Sequence, residues 1–486
     1  MLSLYLILCT FLTICQHIYI FTSVNKLEEI VSGLNKFEVN AFKSYLLSSY
    51  FTTDKSFDKL FNAVHKQCTV KKKFDAKAAY IQTYGKPYNN KKWRYAQSFL
   101  CKHLEYFLSL RYLNSNKLLY HNILLSSLAA KNFVKAWHFT HNEIVNDKTG
   151  KNANFFLMQF QSAENSLEFL AASQSRKKKF DYQTVLHHFD VFFITKKLQL
   201  ACEVINLKNI IKTEVDINFM EEVVQLAATE RFKVIPVVQI YLHIYLTLTK
   251  PSDEKFFLQL KELIKRQGST FPLKELNEFY QYAKNYCIKK INSGNAAYNK
   301  ALFEIYIEIL GNKKLLYHEW MSQFEFKNIV TVALREGEIL WCKNFIERYI
   351  TFVKPAEQKN ALAYNSAYYL FSTQKFKDAI RKLADVEFTD IAYQVDSRVI
   401  LLKCYYELQD ADAYFYHASA FRLFLLRNRY LSEFQKTFNR NLIIYLSALF
   451  RAYGNKVKIE KLKNRILKEK NVADISWLME KIEVAD

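Results

Sequence analysis

Three turns between Arg335 and Arg427 recur at near-constant spacing, and that recurrence limits the fold more than any other feature. Gly337-Glu338-Ile339, Gln374-Lys375-Phe376 and Gln409-Asp410-Ala411 are 37 and 35 residues apart. Cys342, Ala379 and Tyr414 follow them at one offset. An interval of this size marks a helix hairpin that cannot bury its apolar face alone and stacks on its neighbours. The chain has only eight Gly and five Pro in 486 residues, and 50% of it is hydrophobic. Sheets need many turns, and sustained period-two alternation is almost missing. The spacing therefore predicts an all-α fold, a right-handed superhelical array of antiparallel helix hairpins, or α-solenoid.

The hairpin around Gln374 carries Ala367-x2-Leu370-x5-Phe376-x2-Ala379-x3-Leu383, followed by Tyr405-Tyr406-Glu407-Leu408-Gln409-Asp410. These residues resemble the tetratricopeptide repeat. Gln374 and Gln409 replace its usual turn glycine, and Tyr414 replaces a small residue. The resemblance is to a degenerate member, which does not imply a concave peptide groove.

Helix starts are legible further upstream. Asn35 with Glu38 reads as a capping box, ahead of an apolar face of Phe37, Phe42, Tyr45 and Leu46. A second helix fits Asp54 to Cys68. A third is capped by Asp75 and stopped by Gly85 and Pro87. Asn89 or Asn90 caps the long helix after it, with Trp93 and Tyr95 as expected anchors. Hairpins follow at Leu118–Ala130 with Phe133–Val145, and at Phe219–Ala228 with Val234–Leu248. Phe133-x-x-Ala136 echoes Phe376-x-x-Ala379. Phe155–Ser173 and Tyr182–Leu207 read as long helices, and Pro251 and Pro272 as first-turn prolines. The expected domains are a hydrophobic segment over 1–24, a helical domain over 25–115, a hairpin array over 116–330, and a tetratricopeptide-like array with capping helices over 331–486.

Leu34-Asn35-Lys36-Phe37-Glu38, Ser48-Ser49-Tyr50-Phe51, and Gly85 to Lys91 with Arg94-Tyr95 resemble a family of all-helical bacterial proteins of this length. The likeness returns at Phe326–Val330 and Asp396–Tyr406, so it covers most of the chain. It implies a helical fold and no chemistry.

Residues 2–22 have no formal charge and are just long enough to span a bilayer core of about 30 Å. They lack the basic start and cleavage site of a secretory signal. Either they anchor the chain to a membrane or the start codon lies further in, near Val24. The expected location is cytoplasmic, with the inner membrane as the site of any anchor.

A net charge of +22 admits a polyanion partner without specifying one. The short helix, Gly-Pro turn and long helix opening on Lys91, Lys92 and Arg94 have the order of a helix-turn-helix. The turn is longer than such motifs use. Arg176, Lys177, Lys178 and Lys179 form the densest basic run and read as a solvated turn or a phosphate contact. Lys456–Lys470 is basic and amphipathic, fitting a capping helix, an anionic lipid surface or a partner.

No Walker loop, dinucleotide fingerprint, nucleophile elbow or H-E-x-x-H is present. His138 and His141 share a helix face without further ligands in sequence. Eight cysteines stand singly, as free buried thiols do. Tyr280, Tyr282 and Tyr286 sit in an apolar helix and read as core. The expectation is a non-enzymatic scaffold with an unknown protein partner and no cofactor, metal or catalytic residue. The alternatives are nucleic-acid binding through the basic N-terminal hairpin and a membrane-anchored assembly factor.

Overall fold

A computed structural model describes residues 25–52, 54, 56–70, 74–147, 150–172, 181–208, 215–316, 320–384, 390–469 and 471–485. The expected N-terminal segment 1–24, the Lys71–Lys73 loop and the Arg176–Lys179 run lie outside them. The described residues are all-helical, with one isolated bridge between Met321 and Val353. The described residues divide into two compact units, one ending at Thr195 and the other beginning at Lys196.

The first unit opens with α1 (Lys26–Gly33), α2 (Lys36–Leu47), α3 (Ser56–Val70), α4 (Ala76–Tyr84) and α5 (Asn90–Ser115). The expected capping box closes α2: Asn35 accepts from the Glu38 N–H at 2.9 Å, and Glu38 accepts from the Asn35 N–H at 3.0 Å. Such caps contribute about 1 kcal/mol. Asp75 caps α4, Gly85 ends it in the left-handed region, and Asn89 caps α5. Phe42, Leu60, Phe61, Val64, Leu100 and Leu104 are the shared core. Two expected core residues are not in it. Phe37 points outward beneath the Arg111 guanidinium, 5.2 Å from its ring. Tyr95 is 79% exposed, because the face set by Trp93, Ala96 and Leu100 leaves it on the wet side.

Helices α6 (Lys117–Ala130), α7 (Val134–Val145) and α8 (Ala153–Ala172) pack on one another. The Phe133-x-x-Ala136 register is one residue out: Phe133 and Ala136 are exposed and Trp137 is buried. The backbone explains this. Asn132 takes the left-handed conformation, φ +54°, and the buried position lies five residues beyond it. The same interval joins Gln374 to Ala379.

Helix α9 (Tyr182–Lys208) leads to α10 (Met220–Ala227), α11 (Glu230–Lys233), α12 (Pro236–Thr249), α13 (Glu254–Gln267), α14 (Leu273–Asn292), α15 (Tyr298–Gly311) and α16 (Lys313–Leu316). Then come α17 (Gln323–Arg335), α18 (Ile339–Tyr349), α19 (Pro355–Ser372), α20 (Phe376–Ala384), α21 (Ile391–Glu407), α22 (Ala411–Arg427), α23 (Glu433–Ala452), α24 (Lys456–Lys468) and α25 (Ile475–Ala485). Pro236 and Pro355 begin their helices, whereas Pro251 lies in a turn and Pro272 is a helix N-cap. The first-turn reading of Pro251 and Pro272 is thus corrected. Each is followed by a residue still outside the helix or just entering it.

In the second unit consecutive helices pair, as α17 with α18, α19 with α20 and α21 with α22. Alternate helices also touch, as α17 with α19 and α19 with α21. The connecting turns share one geometry. At 337, 374 and 409 the backbone is left-handed, with φ of +76°, +59° and +54°. The next N–H donates back five residues, Glu338 to Ala333 at 2.9 Å, Lys375 to Leu370 at 2.8 Å and Asp410 to Tyr405 at 3.1 Å. This is the Schellman closure, which satisfies carbonyls that a helix end leaves without partners. The turns at Asn132 and Gly294 close the same way. Cys342, Ala379 and Tyr414 are all fully buried where the second helix meets the first.

Candidate interaction surfaces

The most concentrated buried chemistry lies in the second unit, between α17, α19, α21 and the turn before α25. Lys327 of α17 is ion-paired with Asp396 of α21. Lys403 of α21 is ion-paired with Asp474. Each lysine also lies against aromatic rings. Lys327 is 5.2 Å from the Tyr364 ring centre and 5.6 Å from that of Tyr393. Lys403 is 4.6 Å from Trp477 and 5.5 Å from Phe371. Burial alone would raise the Asp474 carboxyl, but the neighbouring Lys403 holds it down at about 2. Farther along the unit Lys284 of α14 is ion-paired with Glu325 of α17 in the same manner.

These groups are matched to one another, and the space beside them is small. The cavity they line with Arg335 and Tyr368 measures about 50 Å³. A water needs roughly 10–15 Å³, so this space holds a few waters. Burial pushes the Tyr368 hydroxyl up to about 12, well away from acid–base use near neutrality. The cluster is cross-bracing between helices. Its sequence signal was a lysine set between buried Leu402 and Cys404, a place where charge requires a partner.

The first unit has a wide depression of about 1010 Å³ between α5, α6 and α7. Tyr112, Asn116, Phe139 and Asn146 line it, and Lys117 pairs with Glu143 at 3.5 Å. His121 stands 3.7 Å from Glu143, too far for a hydrogen bond that would prime a base. His141 stacks on Trp137 with ring centres 4.9 Å apart, and burial lowers its pKa. Among the described residues no three His, Cys, Asp or Glu side chains gather as metal ligands. Tyr280 and Tyr286 are buried, so they offer no stacking face to a base.

Lys91, Lys92 and Arg94 are all exposed within the first five residues of α5, near the end where the helix dipole disfavours cations. Exposed Tyr95 stands beside them. The other sequence-predicted contacts, Arg176, Lys177, Lys178 and Lys179, lie outside the described residues.

Sequence reasoning missed an apolar surface on α22, the loop after it and the first turn of α23. Tyr416, Leu426 and Tyr430 are 81%, 75% and 89% exposed, and Leu423 and Phe434 are also exposed. The opposite face of α22, with Tyr414, Ala418, Phe421 and Leu425, fills the core. The helix is therefore apolar on two sides. That lowers its amphipathic contrast and hides the outer face from a periodicity argument. Arg422, Arg427 and Arg429 stand exposed among these side chains.

Helix α24 presents a second distinct surface. Ile459, Leu462 and Ile466 are buried. Lys458, Lys461, Arg465 and Lys468 are exposed and fall at i, i+3, i+7 and i+10, on one helix face. Each like-charged neighbour pair opposes the helix by about 0.3 kcal/mol.

Compared with protein-family models, curated proteins and solved structures, the chain matches none. Among the described residues no helix is long and apolar enough to cross a membrane.

Proposed function

We propose that this chain is a non-enzymatic helical-repeat scaffold that mediates protein–protein interaction. We read the second unit as a degenerate tetratricopeptide-like array, a right-handed superhelix of antiparallel hairpins. The shared Schellman turns and the pairing of consecutive and alternate helices support that reading. So does the likeness to the all-helical bacterial family drawn from the motifs above.

The observation that carries the function is the exposed surface of Tyr416, Leu423, Leu426, Tyr430 and Phe434. Large exposed apolar side chains grouped along one helix and the segment after it are how soluble proteins mark a partner site. Rings and arginines are also the residue types that dominate binding energy at interfaces. The arginines among them select a partner carrying carboxylates at its rim.

The test is capture from the native host with a C-terminally tagged chain, with and without nuclease. Leu426→Asp/Tyr430→Ser is run in parallel. Partners that survive nuclease and are lost with the double variant support the scaffold. Partners retained equally by both proteins remove this surface from consideration. The second reading is nucleic-acid binding by Lys91, Lys92 and Arg94, favoured by three cations in one helical turn beside exposed Tyr95. It predicts recovery that collapses on nuclease treatment and on K91Q/K92Q/R94Q. Under either reading the protein acts in the cytoplasm. A membrane-linked assembly role depends on residues 2–22 and is tested by the N-terminal peptide of the captured chain.

A further inference from the structure

We infer that α24 is a docking surface for anionic phospholipid, independent of the apolar partner site on α22. Six of its 13 residues are cations, Lys456, Lys458, Lys461, Lys463, Arg465 and Lys468, against one acid, Glu460. Across the whole chain cations are 69 of 486. The local density is therefore about three times the average, and the overall basicity does not account for it. The core-facing side chains Ile459, Leu462 and Ile466 account for the inner face alone. A helix that needed only to stay wet would mix both signs, as i,i+4 pairs of opposite charge are stabilising.

The placement of the cations selects the kind of polyanion. At 100° per residue they form two rows. Lys458, Lys461, Arg465 and Lys468 make one, and Lys456 with Lys463 makes the other. Between the rows, on the outward arc, lie Val457, Asn464 and Glu460, with Leu467 at its edge beside Lys456; Val457 and Leu467 are both more than 60% exposed. Exposed Tyr453 precedes the helix. Exposed Val457 near the outward pole and exposed Leu467 beside the second row, each next to cations, fit a helix lying against a bilayer interface. The aliphatics enter the headgroup layer while the lysines reach the phosphates along their flexible stems. A nucleic-acid groove has no use for the exposed aliphatics Val457 and Leu467 beside its cations. Among the described residues none of the six cations has a carboxylate within ion-pair distance, and Arg465 rests over the Tyr445 ring at 5.8 Å.

The experiment is sedimentation of the full chain with vesicles of phosphatidylcholine alone, and of equal parts phosphatidylcholine and phosphatidylglycerol. Binding to the anionic vesicles is expected to be tighter and to weaken as salt rises. Each cation near an anionic surface is worth about fivefold in affinity. The variant K458Q/K461Q/R465Q/K468Q should therefore lose several hundredfold. Glutamine is a good helix former, all four sites are exposed and like-charge repulsion is relieved, so an unchanged circular dichroism spectrum and a melting temperature no lower than wild type accompany the loss. Val457→Asn/Leu467→Asn should lose severalfold while keeping the salt dependence. Any contribution of residues 2–22 appears with both vesicle types and cancels in the comparison. Wild-type binding no tighter to the anionic vesicles overturns the inference. So does wild-type affinity in the quadruple variant, or a polyuridylate RNA that binds more tightly than vesicles through the same four residues.

Discussion

Replacing Asp474 with Asn removes one charge from a pair that the second unit buries. The Lys403 side chain is 6% exposed and that of Asp474 is 24% exposed, so the remaining lysine cannot reach water freely. Losing one partner of a buried pair costs about 3–5 kcal/mol. The partial exposure of the acid and the surviving contacts of Lys403 with Trp477 and Phe371 reduce that figure. The proton equilibrium reflects the same attraction. The folded carboxyl sits at about 2, against about 3.9 for an unfolded aspartate, which amounts to roughly 2–3 kcal/mol. Because the folded value is depressed, the stabilisation is complete above pH ~4 and disappears as pH falls through the folded value. Residue 474 has φ +47°, and asparagine tolerates that backbone as well as aspartate does, so the substitution isolates the charge. Urea unfolding followed by circular dichroism is the assay. With a slope of about 3 kcal/mol per molar for a unit of this size, the midpoint falls by about 0.8 M at neutral pH. At pH ~3 the gap between wild type and variant should be about half as large. Equal midpoints at neutral pH, or a gap unchanged at acid pH, refute the reasoning.

Other outcomes follow from the turns, the core and the thiols. Gln374 and Gln409 hold left-handed backbones that glycine adopts without strain. Q374G should raise stability by about 0.5–1 kcal/mol, and Q409G by less, because Gln409 Nε2 donates to the Tyr406 carbonyl at 2.9 Å; thermal melts rank the two. Ala379 is fully buried against α19, so Ala379→Leu should cost about 1–3 kcal/mol by urea titration. Burial pushes the Cys287, Cys342 and Cys404 thiols up to about 12 and Cys68 up to about 11. Mass spectrometry after mild alkylation at pH ~8 should find all four unmodified in the folded chain and modified after urea, since only the thiolate reacts. Native labelling of any of them at the rate of a free cysteine contradicts this account.

Helix starts were the most legible part of the sequence, because capping chemistry is local. Asn35, Asp75 and Asn89 each name their helix from a few residues. The turns at 337, 374 and 409 were legible as positions. That glutamine accepts a left-handed backbone at two of them was not, since propensity favours glycine there and the closing hydrogen bonds decide otherwise. Ala136 shows the limit of matching by residue size: one residue of offset moved the inferred packing position from Trp137 to an exposed alanine. Helix α15 begins after Ala297 with no side-chain cap, so its start left no local signal to read. The ion pairs of Lys327 and Lys403 were invisible for another reason. Their partners lie 69 and 71 residues away, and no local pattern spans that distance.

The direction of those pairs has a consequence in time. Lys284 precedes Glu325 by 41 residues, Lys327 precedes Asp396 by 69, and Lys403 precedes Asp474 by 71. In all three the cation leaves the ribosome first. At roughly 5–20 residues per second, Lys403 waits about 4–14 s for Asp474 to be synthesised. During that interval α21 is complete in sequence, yet it cannot bury its lysine without an uncompensated charge. Burial of each lysine is therefore opposed until its acid has been made, and the pair can form only with a stretch of chain made seconds earlier.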